Sequence, residues 1–479
     1  MSEFITIQVG QCGNQIGATF WPSVLEEYGF ENVTGGVATA NLNNNNKKHF
    51  SSNELHSSFN SFFSIPATET CSSLNTLSDL KQSKVKARSI LVDMEDSVIA
   101  RYKTGPLRDL FDDQCIVTNY PGSGNNWAEG FCYHGPRYKN KILNSIRRAI
   151  DKCDSLQGFL LMFSVGGGTG SGLGTYILQL LDDHFPDVER FVSCVYPTGT
   201  EDVITCPYNM ALSTKQLIEH ASCVFPVENR ALLDIVTRQY NNNKNSTLVP
   251  KPTIVEYKPF HDMNNVIVNM LLHLTSGSRF PGNINVDINE ICTNMVPYPK
   301  MHFLSSSFSP IVSYSTKTSY VSSQPIKDEL FRAACSRNNQ LLKIDPLGLK
   351  SVLLGTTLVG RGNFCISDMR TYVERLQTKG HFTSWSKKSV KIGLCNIPPA
   401  EHNAAMLALF NTTAMSTLFS HIYELFEKLY NKKAHVHHYT QVPEFEKNYF
   451  EECKDNLLKN IEAYKQMENC KQKTLPRAI

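Results

Sequence analysis

The sequence predicts an α/β fold. A doubly wound sheet fills the first half, short strands and helices alternate from Asn294 to about Phe410, and the chain ends in helices. Three observations carry this. First, Ser164-Val165-Gly166-Gly167-Gly168-Thr169-Gly170-Ser171-Gly172 follows an apolar run, Phe159 to Phe163, and precedes a helical-looking run, Leu173 to Leu181. Strand, glycine turn and helix in that order make an anion site: a helix start offers N–H groups without intrahelical partners and a partial positive charge. Second, the strand-like Phe4 to Val9 runs straight into another glycine turn, Gly10 to Gly17. Third, four further strand ends carry glycines, amides or acids, and in doubly wound sheets ligands sit beyond the carboxyl ends of strands.

In chain order, Gly10-Gln11-Cys12-Gly13-Asn14-Gln15 opens the first helix. From Asn41 to Lys84 serine and asparagine dominate, which predicts a long surface loop. Ser89 to Asp93 is a short buried strand ending in Asp93 and Glu95, hard oxygen ligands suited to a water-mediated Mg²⁺. Gly122-Ser123-Gly124-Asn125-Asn126-Trp127 is a third small-residue turn, whose amides can donate to phosphate oxygens. In the central turn, glycine lets backbone approach an anion and Thr169 and Ser171 add hydroxyl donors. That turn lacks the Gly-Lys-Ser/Thr ending of a Walker loop and the spacing of a dinucleotide fingerprint. Phe191 to Tyr196 leads to Pro197-Thr198-Gly199-Thr200-Glu201-Asp202, and Ala221 to Val227 leads to Glu228-Asn229.

Asn241 to Ser246, followed by Pro250, Pro252 and Pro259, predicts an inserted loop. Met263, Val266, Ile267, Met270, Leu271 and Leu274 then recur at helical spacing, as in a helix buried between domains. Leu418 to Leu429 and Phe445 to Ile461 predict two terminal helices, with His435, His437 and His438 between them; a metal site there would need further ligands. The end, Lys471 to Ile479, is basic.

A chain of 479 residues, 41% hydrophobic, has the length for two or three domains. Its net charge of +3 is too small to argue for a nucleic-acid partner. The 14 cysteines show no metal-binding or paired spacing, which fits reduced thiols in the cytoplasm. No signal peptide and no membrane-spanning run is expected.

Taken together, the turns at Gly10–Gln15, Gly122–Ala128 and Gly166–Gly172 resemble the tubulin signature. So do Pro207-Tyr208-Asn209, Arg279-Phe280-Pro281-Gly282, Asn294-Met295-Val296-Pro297-Tyr298-Pro299 and Lys433-Ala434-His435. The resemblance covers nearly the whole chain apart from the inserts and tail. It implies a tubulin-like GTPase fold: a GTP-binding domain over residues 1–230 with an insert at 41–84, a core helix and α/β intermediate domain over 231–415 with an insert at 241–259, and a C-terminal helical hairpin with a short basic tail over 416–479. It also implies GTP/GDP and Mg²⁺ as cofactors. Gln11, Cys12 and Gln15 match the first nucleotide loop. Asp93 and Glu95 match the carboxylates of the magnesium shell. Gly122, Ser123, Gly124 and Asn125, with Ser164, Gly166, Gly167, Gly168, Thr169, Gly170, Ser171 and Gly172, match the phosphate loops. Asp202 matches the ribose loop, Asn229 and Asn264 the readers of the guanine edge, and Phe260 a ring that stacks on the base. Cys206 departs from the pattern. It stands where the family keeps a glutamate that accepts from ribose hydroxyls, and a thiol is a poor acceptor.

Within the family the chain resembles the epsilon branch. The features are the insert before Phe260-His261-Asp262-Met263-Asn264-Asn265, the ribose loop Glu201 to Thr205, Glu290 at the position of the α-type catalytic glutamate, and a short basic end in place of an acidic tail. That resemblance implies a cytoskeletal protein of centrioles, basal bodies and centrosomes. Its partners would be other tubulins (delta, or alpha and beta) and centriolar proteins. Glu290 and Asp287 would act in trans, on the nucleotide of a stacked neighbour, so that hydrolysis completes only on longitudinal assembly. The alternative is a non-hydrolysing, nucleotide-stabilised adaptor or microtubule cap.

Overall fold

The computed structural model describes residues 2–30, 58–66, 76–198, 203–245, 259–282, 284–311, 324–400 and 402–469. Six strands form the first sheet: β1 (Glu3–Val9), β2 (Ser89–Asp93), β3 (Ile116–Thr118), β4 (Leu156–Ser164), β5 (Glu189–Tyr196) and β6 (Cys223–Glu228). All neighbours pair in parallel, in the order β3-β2-β1-β4-β5-β6. The order reverses between β1 and β4, so the loops leaving these two strands frame a crevice.

Parallel strands covered on both faces need apolar residues on both. In β1, Phe4 enters one core while Ile5, Ile7 and Val9 enter the other. The first core lies under α1 (Gly10–Glu27) and α2 (Asp96–Thr104). The second lies under α3 (Gly135–Ile150), α4 (Gly174–His184) and α5 (Cys206–His220).

After β6 the chain forms α6 (Asn229–Asn245), then α7 (Pro259–Leu274) and α8 (Ile288–Met295). The stripe foreseen on α7 is buried: Met270 and Leu271 are inaccessible, and the helix packs on α1, on α6 and on the second sheet. That sheet contains β7 (Ser305–Ser309), β8 (Leu353–Gly362), β9 (Lys391–Cys395) and β10 (Ala404–Thr412) in the order β9-β8-β10-β7. Helices α9 (Gln324–Ala334) and α10 (Ile366–Lys379) close its own core. The terminal pair, α11 (Ser416–Tyr430) and α12 (Asn448–Asn469), packs over α5.

A buried ion cluster locks these layers together. Glu27, at the end of α1, bonds Arg279 at 2.5 Å and Arg361 of β8 at 2.8 Å, all three inaccessible to solvent. Burying two guanidiniums on one carboxylate is tolerable because backbone oxygens of Leu272 and Ile397 accept from them as well.

Two expectations change. The serine-rich stretch from Asn41 to Lys84 is not all surface loop. Within its described part, Phe59, Phe62 and Phe63 are buried against Phe4, Trp21 and Tyr28, and Phe4 N–H donates to Ser61 O at 2.9 Å. Three aromatic rings outweigh the serines between them. The asparagines from Asn241 to Asn245 continue α6 rather than starting a loop. The rest of both inserts (41–57, 67–75, 246–258) and the basic end lie outside the described residues.

Candidate functional site

At the switch point the glycine turns meet. A methyl group on Gly10 would lie 2.9 Å from Gly170 N, and one on Gly170 would lie 2.8 Å from Ser164 O. Gly10 also has φ +71°, open to glycine at little cost. Asn14 fixes the first turn by donating to Gly10 O at 2.9 Å and to Val92 O at 3.1 Å, which joins β1 to β2 beneath the crevice. Thr169–Leu173 winds as one π-helical turn ahead of α4, a feature that recurs at functional sites.

The Gly122–Asn125 turn closes on the same place. Ser123 Oγ and Thr169 Oγ1 share a 3.0 Å hydrogen bond. A methyl group on Gly168 would lie 2.7 Å from both Ser123 O and Asn126 N, while Gly167 faces Asn125 Oδ1. Asn125 takes φ 53° and its carbonyl accepts from Thr205 Oγ1 and from Asn209 Nδ2, each at 2.8 Å. Asn209 also donates to Gly166 O at 2.9 Å and accepts from Trp127 N–H at 2.9 Å and from Tyr439 Oη–H at 2.6 Å. One buried amide therefore pins the turn after β3 to the turn after β4. Gly166 also abuts Pro197 and Cys206 Sγ, so the loop after β5 and the first turn of α5 join the ring.

Asp93 closes β2 and Glu95 follows it. Asp93 is buried and Glu95 is exposed beside Gly122, whose added methyl would lie 2.5 Å from Glu95 Oε1. Burial pushes the Asp93 carboxyl up to about 7, and the charges of Glu95 and Asp96 add to the shift. Its Oδ1 accepts from Glu95 N–H at 3.3 Å, but Oδ2 is buried without a partner. A buried, unpartnered carboxylate oxygen beside these glycine and amide turns fits a cation, and Mg²⁺ held through phosphates and water needs one or two protein carboxylates.

Gln11 is exposed and Cys12 and Gln15 half-buried on α1; burial pushes the Cys12 thiol up to about 12. Asn229 opens α6, and Phe260 and Asn264 stand one turn apart on α7, the ring 70% exposed. Helix α7 packs on both α1 and α6. Asp202 lies outside the described residues.

Asp287 and Glu290 occupy the opposite end of the molecule. Asn289, between them, donates to Gln157 O at 3.2 Å, and Ser2 Oγ donates to Asp287 Oδ2 at 3.4 Å. Both contacts mark the amino ends of β4 and β1. The nine residues of β4 then separate them from Ser164 by roughly 26 Å. Asp287 stands just outside the helix that carries Glu290. It is the N-cap of α8, its Oδ1 accepting from Glu290 N–H at 2.8 Å. Glu290 Oε2 pairs with Lys391 Nζ at 2.6 Å.

The sequence assigns no individual role to Asn14, Asn209 or Lys391. Asn14 and Asn209 are helix-interior asparagines, a poor fit to propensity that signals a specific bond. Of the three histidines between α11 and α12, His435 stacks on His438 and His437 lies tilted against it, and among the described residues no group of three or more His, Cys, Asp or Glu side chains is placed to hold a metal ion. No described helix is long and apolar enough to cross a membrane.

A 3-2-1-4-5-6 sheet with glycine and amide turns meeting at its switch point defines a phosphate-binding α/β protein. The sequence matches the Tubulin/FtsZ family, GTPase domain, over residues 3–237 and the Tubulin C-terminal domain over residues 299–424. The chain belongs to the tubulin family. It is 40% identical to the tubulin epsilon chain of Homo sapiens over 98% of this chain and 97% of that one, and 40% identical to that of Mus musculus over 99% and 98%. The tubulin alpha-1 chain of Schizosaccharomyces pombe is 33% identical over 95% and 94%, and the tubulin beta chain of Candida albicans 29% over 97% and 94%. The similarity is thus greater to these epsilon chains than to the alpha and beta chains, and membership of a GTPase family implies GTP or GDP as the ligand.

Proposed function

We propose that this chain is an epsilon-type tubulin that binds GTP in the switch-point crevice and supports centriolar and basal-body microtubules, with hydrolysis completed in trans. Gly122 to Asn125 and Ser164 to Gly172 cradle the phosphates, and Asp93 and Glu95 hold Mg²⁺ through water. Gln11, Cys12 and Gln15 line the floor. Asn229 and Asn264 read guanine, since an amide both donates and accepts. Phe260 stacks on the base and Asp202 meets the ribose. Residues 1–230 form the nucleotide domain, 231–415 the core helix and intermediate domain, and 416–479 the outer helices. Other tubulins and centriolar proteins are the partners.

What carries the trans reading is the placement of Glu290 at the amino ends of the strands, about a strand's length from the phosphate loops. Phosphoryl transfer needs a water positioned in line with the γ-phosphorus and charge stabilisation around it. Glu290 cannot reach its own nucleotide; stacked end to end, it faces the next subunit's. Bound Mg²⁺ would neutralise phosphate charge, while Glu290 orients the attacking water and Asp287 holds the helix start in place.

The test is GTP turnover by the chain mixed with tubulin partners, native against Glu290→Ala. Loss of roughly a hundredfold or more with GTP binding retained is expected, in the range of a lost general base. Unchanged turnover would sink the catalytic role.

One observation favours the adaptor reading. Glu290 is occupied by Lys391 and Asp287 by capping, an arrangement that serves α8 without any catalysis. Nucleotide retained after gentle purification separates the two: GTP indicates the adaptor, GDP an active cycle.

A further inference from the structure

A cavity of about 360 Å³ lies under Leu77 to Leu110 and one of about 440 Å³ under α6, but charged groups at each, Lys81 with Asp109 and Lys343 with Asp234, are already paired with one another. A third, of about 340 Å³, is different. It opens between α12, the end of α5 and the loop from α8 to β7, far from the crevice. Its walls are Ile218, Met301, Ala463 and Met467. Such walls take an apolar side chain, and methionines adapt to its shape. At the base Asn460 is 6% exposed. Its Nδ2 donates to Lys300 O at 3.3 Å, while its Oδ1 is buried with no donor. A buried amide oxygen left without a partner costs free energy unless a ligand supplies an N–H or O–H. At the rim stand Lys300 and Lys459, both exposed, and neither is in an ion pair among the described residues.

We propose that this cavity is a docking site for an acidic peptide segment of a partner protein. One large apolar side chain enters between Ile218, Ala463 and the two methionines. An N–H of the segment donates to Asn460 Oδ1, and flanking carboxylates meet Lys300 and Lys459. The cavity joins the outer helix α12 to the loop that carries Tyr298, which rests edge-on against Trp385 at 6.0 Å. The occupant therefore braces the face that bears Glu290.

The probe is a fluorescein-labelled peptide with one tryptophan between aspartates, titrated against the full chain and followed by anisotropy. Two controls replace its tryptophan by alanine or its aspartates by lysines. Saturable binding of the acidic tryptophan peptide is expected, about tenfold or more weaker for the alanine peptide and for Ala463→Trp, which fills the cavity. Binding should weaken with salt, and the pair Lys300→Glu with Lys459→Glu should come to prefer the lysine peptide. Nucleotide content and melting temperature identify any variant that has failed to fold, and the two lysine changes lie on the surface. Equal affinity for Ala463→Trp and the native chain would overturn the proposal. So would equal binding of the lysine and aspartate peptides by the native chain, or no saturation up to about 1 mM.

Discussion

Gly10 and Gly170 touch across the switch point, and neither position has room for a side chain. Gly10→Ala meets two penalties, a left-handed backbone and a methyl group 2.9 Å from Gly170 N. Such strain costs about 1–3 kcal/mol and falls on the loop that must stay closed around a nucleotide. Retained GTP or GDP, measured after gel filtration, should drop sharply, whereas Gly124→Ala, whose added methyl meets nothing within 4 Å, tests the cost of positive φ alone. The glycines were legible in the sequence because their spacing between strand and helix has few other uses. The linking role of Asn209 was not, although its motif was: its four bonds join segments more than forty residues apart, and no local pattern encodes that.

Between elements, two buried groups hold the domains in register. Glu27 joins α1 to Arg279 and Arg361, and Glu27→Gln would leave two guanidiniums in the core without a counter-charge. A loss of about 3–5 kcal/mol is expected, read as a lower urea midpoint. His302, between α5 and β7, bonds Leu217 O at 3.0 Å and is held neutral: burial pushes its pKa down to about 4, against a smaller raising effect of that carbonyl. The unfolded chain takes up this proton near pH 6.5. Stability from this site is therefore full above about pH 6.5 and falls as pH drops towards 4, by roughly 3 kcal/mol at most. His302→Gln should flatten that acid limb in urea titrations at pH 7 and pH 5; an unchanged slope would assign it elsewhere. At this scale the strands and amphipathic helices follow from periodicity alone. The buried aromatics at Phe59, Phe62 and Phe63 were hidden because low-complexity neighbours conceal a period too short to register.

For the whole molecule, the switch-point crevice and Glu290 lie at opposite ends of one sheet, so on the proposed function hydrolysis should be a property of pairs. Turnover per subunit should rise with the concentration of partner. Mixing Glu290→Ala with Gly10→Ala should restore part of the activity that each lacks alone, because one supplies an intact crevice and the other an intact acid. Turnover that is independent of concentration would remove the trans reading. By itself the sequence determined the strand-turn-helix order, the glycine positions and the family, since these rest on local spacing and on motifs in a fixed order. Only the tertiary structure decided that turns from distant parts of the chain share one crevice, that Asp287 caps a helix, and that Glu290 faces away beside Lys391. Convergence and direction depend on how a parallel sheet is ordered and on which end of each strand a loop leaves, and that order is set by packing across the whole core.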